Sequence, residues 1–264
     1  MNITKKYIKL PKRKTNSHKG DNGKVLVIGG SRDYVGAVTL AGLAALRSGV
    51  DWVTVAVPEK VGYAINALSP DLVVKKFKGE YFRLSDVRSI LRLEKDFDAV
   101  LIGNGIGARS GSFVRGYIKK TKKPIVIDAE AIKAIKLQDV KNVIITPHKK
   151  EFRTLLKNSG LSMNNYQKYL KNNIVILKGK TDLIITSARI YENKTGNPGM
   201  TKAGTGDVLA GLCIGFLGQG LHLLQSAINA AYFNGLAGDI LLKKKKGFTY
   251  LASDLVEEIK RIVN

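Results

Sequence analysis

Lys24-Val25-Leu26-Val27-Ile28-Gly29-Gly30-Ser31, followed by Gly36-Ala37, is the stretch from which the fold is read. A continuous apolar, β-branched run is the pattern of a strand covered on both faces. The glycines end that run, and a helical pattern opens at Ala37 and continues over 37–48. Strand, flexible glycine loop and helix start together leave backbone against which a ligand can lie. Taken alone, the stretch could be only a βα turn. Working outward, runs of the same strand type recur at 52–57, 72–75, 99–102, 124–127, 142–145 and 174–177. Helical patterns at 85–93, 113–119, 149–156 and 165–171 fall among them. This order predicts an α/β protein with a mainly parallel central sheet and helices on both faces. Beyond Lys178 the texture changes. Segments 183–186 and 189–192 read as a short hairpin, and two long apolar helices follow over 208–217 and 223–242. No low-complexity linker, internal repeat or composition break divides the chain. Residues 1–264 are therefore expected to form one domain, with 1–17 as a basic lead-in.

In such sheets the loops at the carboxyl ends of strands build the site. The most informative loop is Asn197-Pro198-Gly199-Met200-Thr201-Lys202-Ala203-Gly204-Thr205-Gly206-Asp207, which runs into the apolar helix at Val208. The first amides of a helix lack intrahelical partners and carry the positive end of its dipole. Glycines let those donors close on a phosphate without side chains in the way. Asp207 is the unexpected member, because a plain anion cradle is weakened by a carboxylate. An acid there makes sense if it takes a proton from a hydroxyl that attacks phosphorus. The competing reading is an Asp N-cap on a tight turn. Small residues throughout the extended loop favour a phosphoryl-transfer site.

Other motifs resolve less sharply. Gly103-Asn104-Gly105-Ile106-Gly107-Ala108 follows a strand and matches G-x-G-x-x-A, and Asp128 ends a later strand. The pair imitates a dinucleotide fingerprint with its ribose-binding acid, so a nicotinamide-dependent dehydrogenase is a rival. The motif lies mid-chain, however, and leaves the 204–207 loop without a task. Lys178-Gly179-Lys180-Thr181 looks like the end of a P-loop, but the required leading glycine is Ile174. A Walker A reading fails on that spacing. Thr146-Pro147-His148-Lys149-Lys150-Glu151-Phe152 places His148 after a strand and near a helix start. Alone, His148 reads as a surface or capping residue; at this strand end an imidazole can instead meet a ligand and unpaired amides can receive an anion, and the ligand contact is favoured. His18 reads as either a substrate contact or a cap, and His222 as structural. No Cys/His cluster has metal-ligand spacing, so no protein-held metal is expected.

Bulk composition sets limits. The chain has 264 residues, 44% of them hydrophobic, as in a globular protein with a sizeable core. No apolar run approaches the roughly 20 residues that span a bilayer, and 1–19 lacks the apolar stretch of a secretory signal. The single Cys213 excludes an intrachain disulfide and fits a reducing, cytoplasmic setting. Forty-four basic and 21 acidic residues leave a net charge of +23. A nucleic-acid binder or an enzyme for polyanionic substrates would both account for that charge. The lysines are scattered, including runs at 5–14, 75–78, 119–123 and 243–246, without aromatic interleaving. They read as solvated surface, and nucleic acid is not the expected partner.

Taken in order, several of these segments resemble the NAD(P)H-hydrate dehydratase family of the ribokinase-like superfamily. They are His18-Lys19-Gly20-Asp21, Val27-Ile28-Gly29-Gly30-Ser31, Gly36-Ala37 and Gly103-Asn104-Gly105-Ile106-Gly107. Ile145-Thr146-Pro147-His148-Lys149-Lys150-Glu151-Phe152, Leu177-Lys178-Gly179, Gly196-Asn197-Pro198-Gly199-Met200 and Gly204-Thr205-Gly206-Asp207 complete the set. The resemblance runs from His18 nearly to the end of the chain. It implies a ribokinase-like three-layer sandwich and a lyase of metabolite repair. NADH or NADPH hydrated on its nicotinamide ring would be dehydrated back at the expense of ADP, or of ATP as in the eukaryotic branch. AMP and phosphate would be released from ADP, with Mg2+ bridging phosphates.

Carried over residue by residue, the resemblance implies substrate contacts at Ala37, Gly105, Gly107, His148 and Asp207. It implies nucleotide contacts at Lys178, Gly179, Lys180, Thr181, Asp182 and Gly206, and the helix-start amides add Gly204 and Thr205 as expected contacts to the phosphoryl group. Asp207 is expected to be the catalytic base that accepts the proton of the ring hydroxyl as it attacks phosphorus. Ala203 stands where the family often has another glycine. The resemblance further implies a homo-oligomer and a functional link to a separate epimerase of the hydrates. Hydroxyethylthiazole kinase, of the same superfamily, is the nearest rival. The Thr146-Pro147-His148 and Asn197-Pro198-Gly199-Met200 segments favour the dehydratase.

Overall fold

The structure, a computed structural model, describes residues 1–245 and 247–263. Lys246, the last of the 243–246 basic run, lies outside the described residues. Nine strands form one sheet: β1 (Lys24–Ile28), β2 (Trp52–Pro58), β3 (Val73–Phe77), β4 (Ala99–Ile102), β5 (Ile125–Ile127), β6 (Val143–Ile145), β7 (Ile174–Leu177), β8 (Asp182–Ile185) and β9 (Ile190–Asn193). Their spatial order is β3-β2-β1-β4-β5-β6-β7-β8-β9. Strands β1 to β7 pair in parallel, and the β8–β9 hairpin adds antiparallel at one end. Central strands are buried along their length because the residues of both faces are apolar.

Alternate residues feed two cores. Val25, Val27, Val55, Leu101 and Ile144 point into one core, with α1 (Val35–Arg47), α2 (Glu59–Leu68), α6 (Thr205–Gly218), α7 (Leu223–Lys244) and α8 (Ala252–Ile262). Leu26, Ile28, Val100, Ile102 and Ile145 point into the other, with α3 (Val87–Leu93), α4 (Gly111–Ile118) and α5 (Lys149–Ser159). The architecture is therefore three layers, as the alternation of patterns predicts. In the second core Phe82 stacks on Phe113, with ring centroids 4.7 Å apart. Full burial of such a side chain stabilises by about 1.5–3 kcal/mol.

Several local expectations are corrected. The 165–171 segment is a single 3-10 turn, Tyr166–Tyr169, and Lys171 with φ 51° then stops helical propagation. The 85–93 helix begins with a 3-10 turn at Leu84–Asp86. Helices α2 and α8 are additions to the pattern read from sequence. Gly62 weakens the local helical signal of α2, yet the helix needs it, because a Cβ there would press on Lys76 and Val74 of β3. Strand β3 is an edge strand and only partly covered, unlike its neighbours. The basic lead-in is docked: Ile3 N donates to Glu192 O at 2.8 Å, and Gln225 Nε2 and Asn229 Nδ2 hold the carbonyls of Tyr7 and Lys9. It covers part of the open β9 edge with backbone pairing.

Strand order reverses between β1 and β4, so their loops diverge and leave a crevice at the carboxyl end of the sheet. The two loops nevertheless touch. Gly30 N donates to Asn104 O at 2.8 Å, and a Cβ on Gly29 would collide with that carbonyl. Gly103, Gly105 and Gly107 all have φ between 66° and 127°, a region side chains disfavour.

Candidate active site

Four adjacent parallel strands each end in a polar residue at the same rim: Asn104 beyond β4, Asp128 beyond β5, Thr146 beyond β6 and Lys178 beyond β7. The register of the ladder makes them neighbours, since Asp128 N donates to Ile102 O and Thr146 N to Ile127 O. Asp128 is the hub. Its Oδ1 accepts from Thr146 Oγ1 at 2.6 Å and pairs with Lys178 Nζ at 3.1 Å, and its Oδ2 accepts from Asn104 Nδ2 at 2.9 Å. The Asn104 amide also donates to Asp207 Oδ1 at 2.6 Å. One amide group thus bridges two carboxylates, tying the sheet rim to the head of α6.

That helix head has its own geometry. Gly204, with φ 93°, is the N-cap and offers no side chain; Asp207 is the third residue of α6. The alternative reading of Asp207 as an N-cap is thereby excluded. The amides of Gly206 and Asp207 have no protein acceptor among the described residues. A Cβ on Gly206 would stand 3.3 Å from Lys178 Nζ, so the lysine lies against the same bare helix end. Two free amides, a helix dipole and an ammonium converge where one carboxylate oxygen, Asp207 Oδ2, has no partner among the described residues. The loop is braced from behind. Asn197 Oδ1 accepts from Gly199 N and from Tyr250 OH, and its Nδ2 donates to Asp239 Oδ1 at 3.1 Å.

Burial pushes the Asp207 carboxyl up to about 6; the charge of Asp128 adds to this, while the Asn104 hydrogen bond and Lys178 oppose it. Burial works against the Lys178 charge, but Asp128, Glu151 and Asp207 outweigh it and hold the ammonium above its ordinary range. The cluster therefore contains a carboxylate whose affinity for a proton lies near neutral pH, beside a lysine whose charge its acidic neighbours favour. Such an arrangement can deprotonate a hydroxyl and stabilise a phosphoryl group at one place.

The positions expected from sequence distribute around this centre as follows. Ala37 lies on the first turn of α1, and a Cβ on Gly105 would meet it at 3.3 Å, so these two share the crevice wall with Gly107 nearby. His148 is on the rim beside Lys178, joined by a backbone bridge. Its role differs from the expectation of free amides. His148 Nδ1 caps α5 by accepting from Lys150 N at 3.1 Å and Glu151 N at 3.3 Å. Those amides are spent, and Nε2 faces Glu151 Oε1 at 3.5 Å on a half-exposed ring. Gly179, Lys180 and Thr181 form the β7–β8 turn, closed by Gly179 N donating to Asp182 Oδ1 at 3.0 Å. Thr205 Oγ1 donates to Met200 O and Lys202 O, which turns its hydroxyl inward to hold the loop. His18 caps with its backbone only, and His222 Nδ1 caps α7.

Asn104, Thr146 and the true setting of Asp128 escaped the sequence reading. Asp128 is 2% exposed and faces the cluster, which corrects its resemblance to a ribose-binding acid. The available signal was positional: a polar residue directly following, or one residue beyond, each apolar run of successive strands.

Comparison with known proteins follows the same lines. The family profile described as NAD(P)H-hydrate dehydratase matches residues 25–261. The bifunctional NAD(P)H-hydrate repair enzyme of Methanocaldococcus jannaschii is 44% identical over 96% of this chain and 50% of its own length. The chain thus spans about half the length of the first curated relatives it matches. The ADP-dependent (S)-NAD(P)H-hydrate dehydratase of Nitrosopumilus maritimus is 35% identical over 99% of this chain and 94% of its own. Among solved structures, the ADP/ATP-dependent NAD(P)H-hydrate dehydratase of Bacillus subtilis, co-crystallised with ATP/Mg2+, superposes with a TM-score of 0.80 at 28% identity. That match covers 96% of this chain and 93% of the other, and the fold is ribokinase-like.

Proposed function

The chain belongs to the NAD(P)H-hydrate dehydratase family, and from that premise we propose that it dehydrates hydrated NADH and NADPH at the expense of ADP. The supporting observation is the lone acid, Asp207, beside the free amides of α6 and Lys178 Nζ. In this reading the ring hydroxyl attacks the terminal phosphorus of ADP, Asp207 Oδ2 takes its proton, and AMP departs. The amides of Gly206 and Asp207 and the Lys178 ammonium hold the transferring phosphoryl group. Phosphate then leaves the ring carbon, driven by the nitrogen lone pair, and loss of a proton from the adjacent carbon restores the double bond. Asn104 orients Asp207 through its 2.6 Å hydrogen bond and keeps it from the neighbouring Asp128 charge. Ala37, Gly105, Gly107 and His148 line the substrate side, and the 178–182 turn with 204–206 the nucleotide side.

The described residues contain no group of three or more metal-ligating side chains. We assign Mg2+ to phosphate oxygens of the nucleotide, where it would neutralise charge, as magnesium commonly does with few protein ligands. We further assign the protein to the cytoplasm as a homo-oligomer, with an epimerase of the hydrates as its functional partner. No described helix is long and apolar enough to cross a membrane.

The test is recovery of dihydronicotinamide absorbance from the 6S hydrate of NADH, with ADP or ATP supplied in turn. Turnover is expected with ADP. Asp207→Asn is expected to lower kcat by about 10²–10⁴-fold while ADP binding, read by calorimetry, stays within about threefold. Near-normal turnover of that variant would remove Asp207 from the mechanism.

A further inference from the structure

A cavity of about 370 Å³ opens beside the crevice, lined by Arg32, Val35, Pro58, Lys60, Val61 and Glu80 among others. That volume lies at the lower end of small-ligand sites. We propose that it receives the phosphorylated ribose of the adenosine half of the hydrated dinucleotide, with Arg32 and Lys60 as its phosphate-binding residues. The inference rests on the dehydratase reading above and extends it to a part of the substrate remote from the chemistry.

Position is the first argument. Pro58 ends β2, whereas Asn104 follows β4, and β1 lies between them. Two strand spacings separate the end of β2 from that of β4, so the cavity lies at least about 10 Å along the rim from Asn104. That is too far for the reacting ring and within reach of the ribose and phosphates that trail from it. The nucleotide side, at the β7–β8 turn, lies in the opposite direction along the sheet. The two ligands can therefore meet at Asp207 head to head, with the dinucleotide tail running toward β1 and β2.

Charge is the second. Arg32 and Lys60 take part in no ion pair with an acid among the described residues. An unpaired guanidinium and ammonium around one concavity suit a phosphate group. Glu80, the acid on this rim, suits the hydroxyl of a ribose rather than its phosphate. The first turn of α1 is shared with the crevice, Val35 lining the cavity and Ala37 standing next to Gly105. Helix α1 opens with no acidic residue and no side-chain cap, and a Cβ on Gly36 would meet nothing, so its first turn faces open space. Tyr34, 62% exposed, stands on the connecting loop beside Gly105, where its ring is open to a ligand.

The test compares wild type with the Arg32→Gln/Lys60→Gln double variant on hydrated NADPH, hydrated NADH and hydrated nicotinamide mononucleotide, which lacks the adenosine half. The double variant is expected to lose about tenfold or more in kcat/KM on hydrated NADPH, and less than about twofold on the mononucleotide. A larger loss on hydrated NADPH than on hydrated NADH assigns the contact to the ribose 2′-phosphate. Equal losses on both assign it to the adenosine 5′-phosphate. Equal losses on all three substrates, or none on any, overturn the subsite while leaving the dehydratase reading intact. A direct probe is independent of turnover: adenosine 2′,5′-bisphosphate, titrated by calorimetry with ADP saturating, is expected to bind wild type and to bind the double variant about tenfold more weakly. Indistinguishable titrations would also overturn the subsite. A wild type inert on all three substrates that still discriminates in this titration would sink the dehydratase reading and keep the anion site.

Discussion

Asp207 is held partly against its own ionisation. Its folded-state affinity for a proton, raised to about 6 chiefly by burial, exceeds that of the unfolded chain. The native state therefore binds this proton more tightly, and stability is lost as pH rises from the ordinary Asp range through about 6. Above that window the deficit persists. Asp207→Asn can keep the Asn104 hydrogen bond without the charge. It is expected to be more stable than wild type by about 1–3 kcal/mol at pH 8 and nearly equal to it at pH 4, read by urea unfolding at the two pH values. An opposite sign would show that the local field has been misread. Asn104 tunes the same group. Its donor favours the ionised acid, so Asn104→Leu should move the acid limb of the kcat/KM profile to higher pH than the wild-type limb near pH 6. A limb that stays in place would mean Asn104 does not set the base.

Helix α6 carries Asp207 at its head, and its placement depends on how closely it approaches α1. Gly211 and Gly215 lie at that contact: a Cβ on Gly211 would collide with the Ala41 carbonyl and stand 2.8 Å from Ala44 Cβ. Twelve of the residues of α6 are buried, so the helix has little freedom to shift outward. Gly211→Ala is expected to destabilise by about 3 kcal/mol or more, because backbone must move. Gly36→Ala, on the open first turn of α1, should change stability by less than about 1 kcal/mol and toward greater stability. Thermal melts of the two variants check both. The elements themselves were unevenly legible. Strands β1, β4 and β7 are self-evident apolar runs, but α2 contains Gly62 and shows its helical character only once β3 lies beneath it. The 165–171 segment has helical periodicity in sequence and fails as a helix because Lys171 adopts φ 51°.

Across the whole molecule, a net charge of +23 is spread over scattered lysines rather than gathered into one stripe. Self-repulsion of that size opposes the compact state and is screened by salt. Raising sodium chloride from about 0.05 to about 0.5 M is therefore expected to raise Tm by several degrees; an unchanged or falling Tm would show that local pairs cancel the repulsion. The sequence by itself determined the class of fold and the loop that matters, because strand burial and helix-start chemistry are written in contiguous residues. It also singled out Asp207, since an acid after a glycine loop is visible without any partner. Only tertiary structure brought Asn104, Asp128, Thr146 and Lys178 together with that acid, Asn104 and Asp207 being 103 positions apart in the chain. His148 is the opposite case, because its Nδ1 caps its own helix through residues only two and three positions away. Sheet order and register decide which strand ends are neighbours, and those depend on long-range packing that no local pattern encodes.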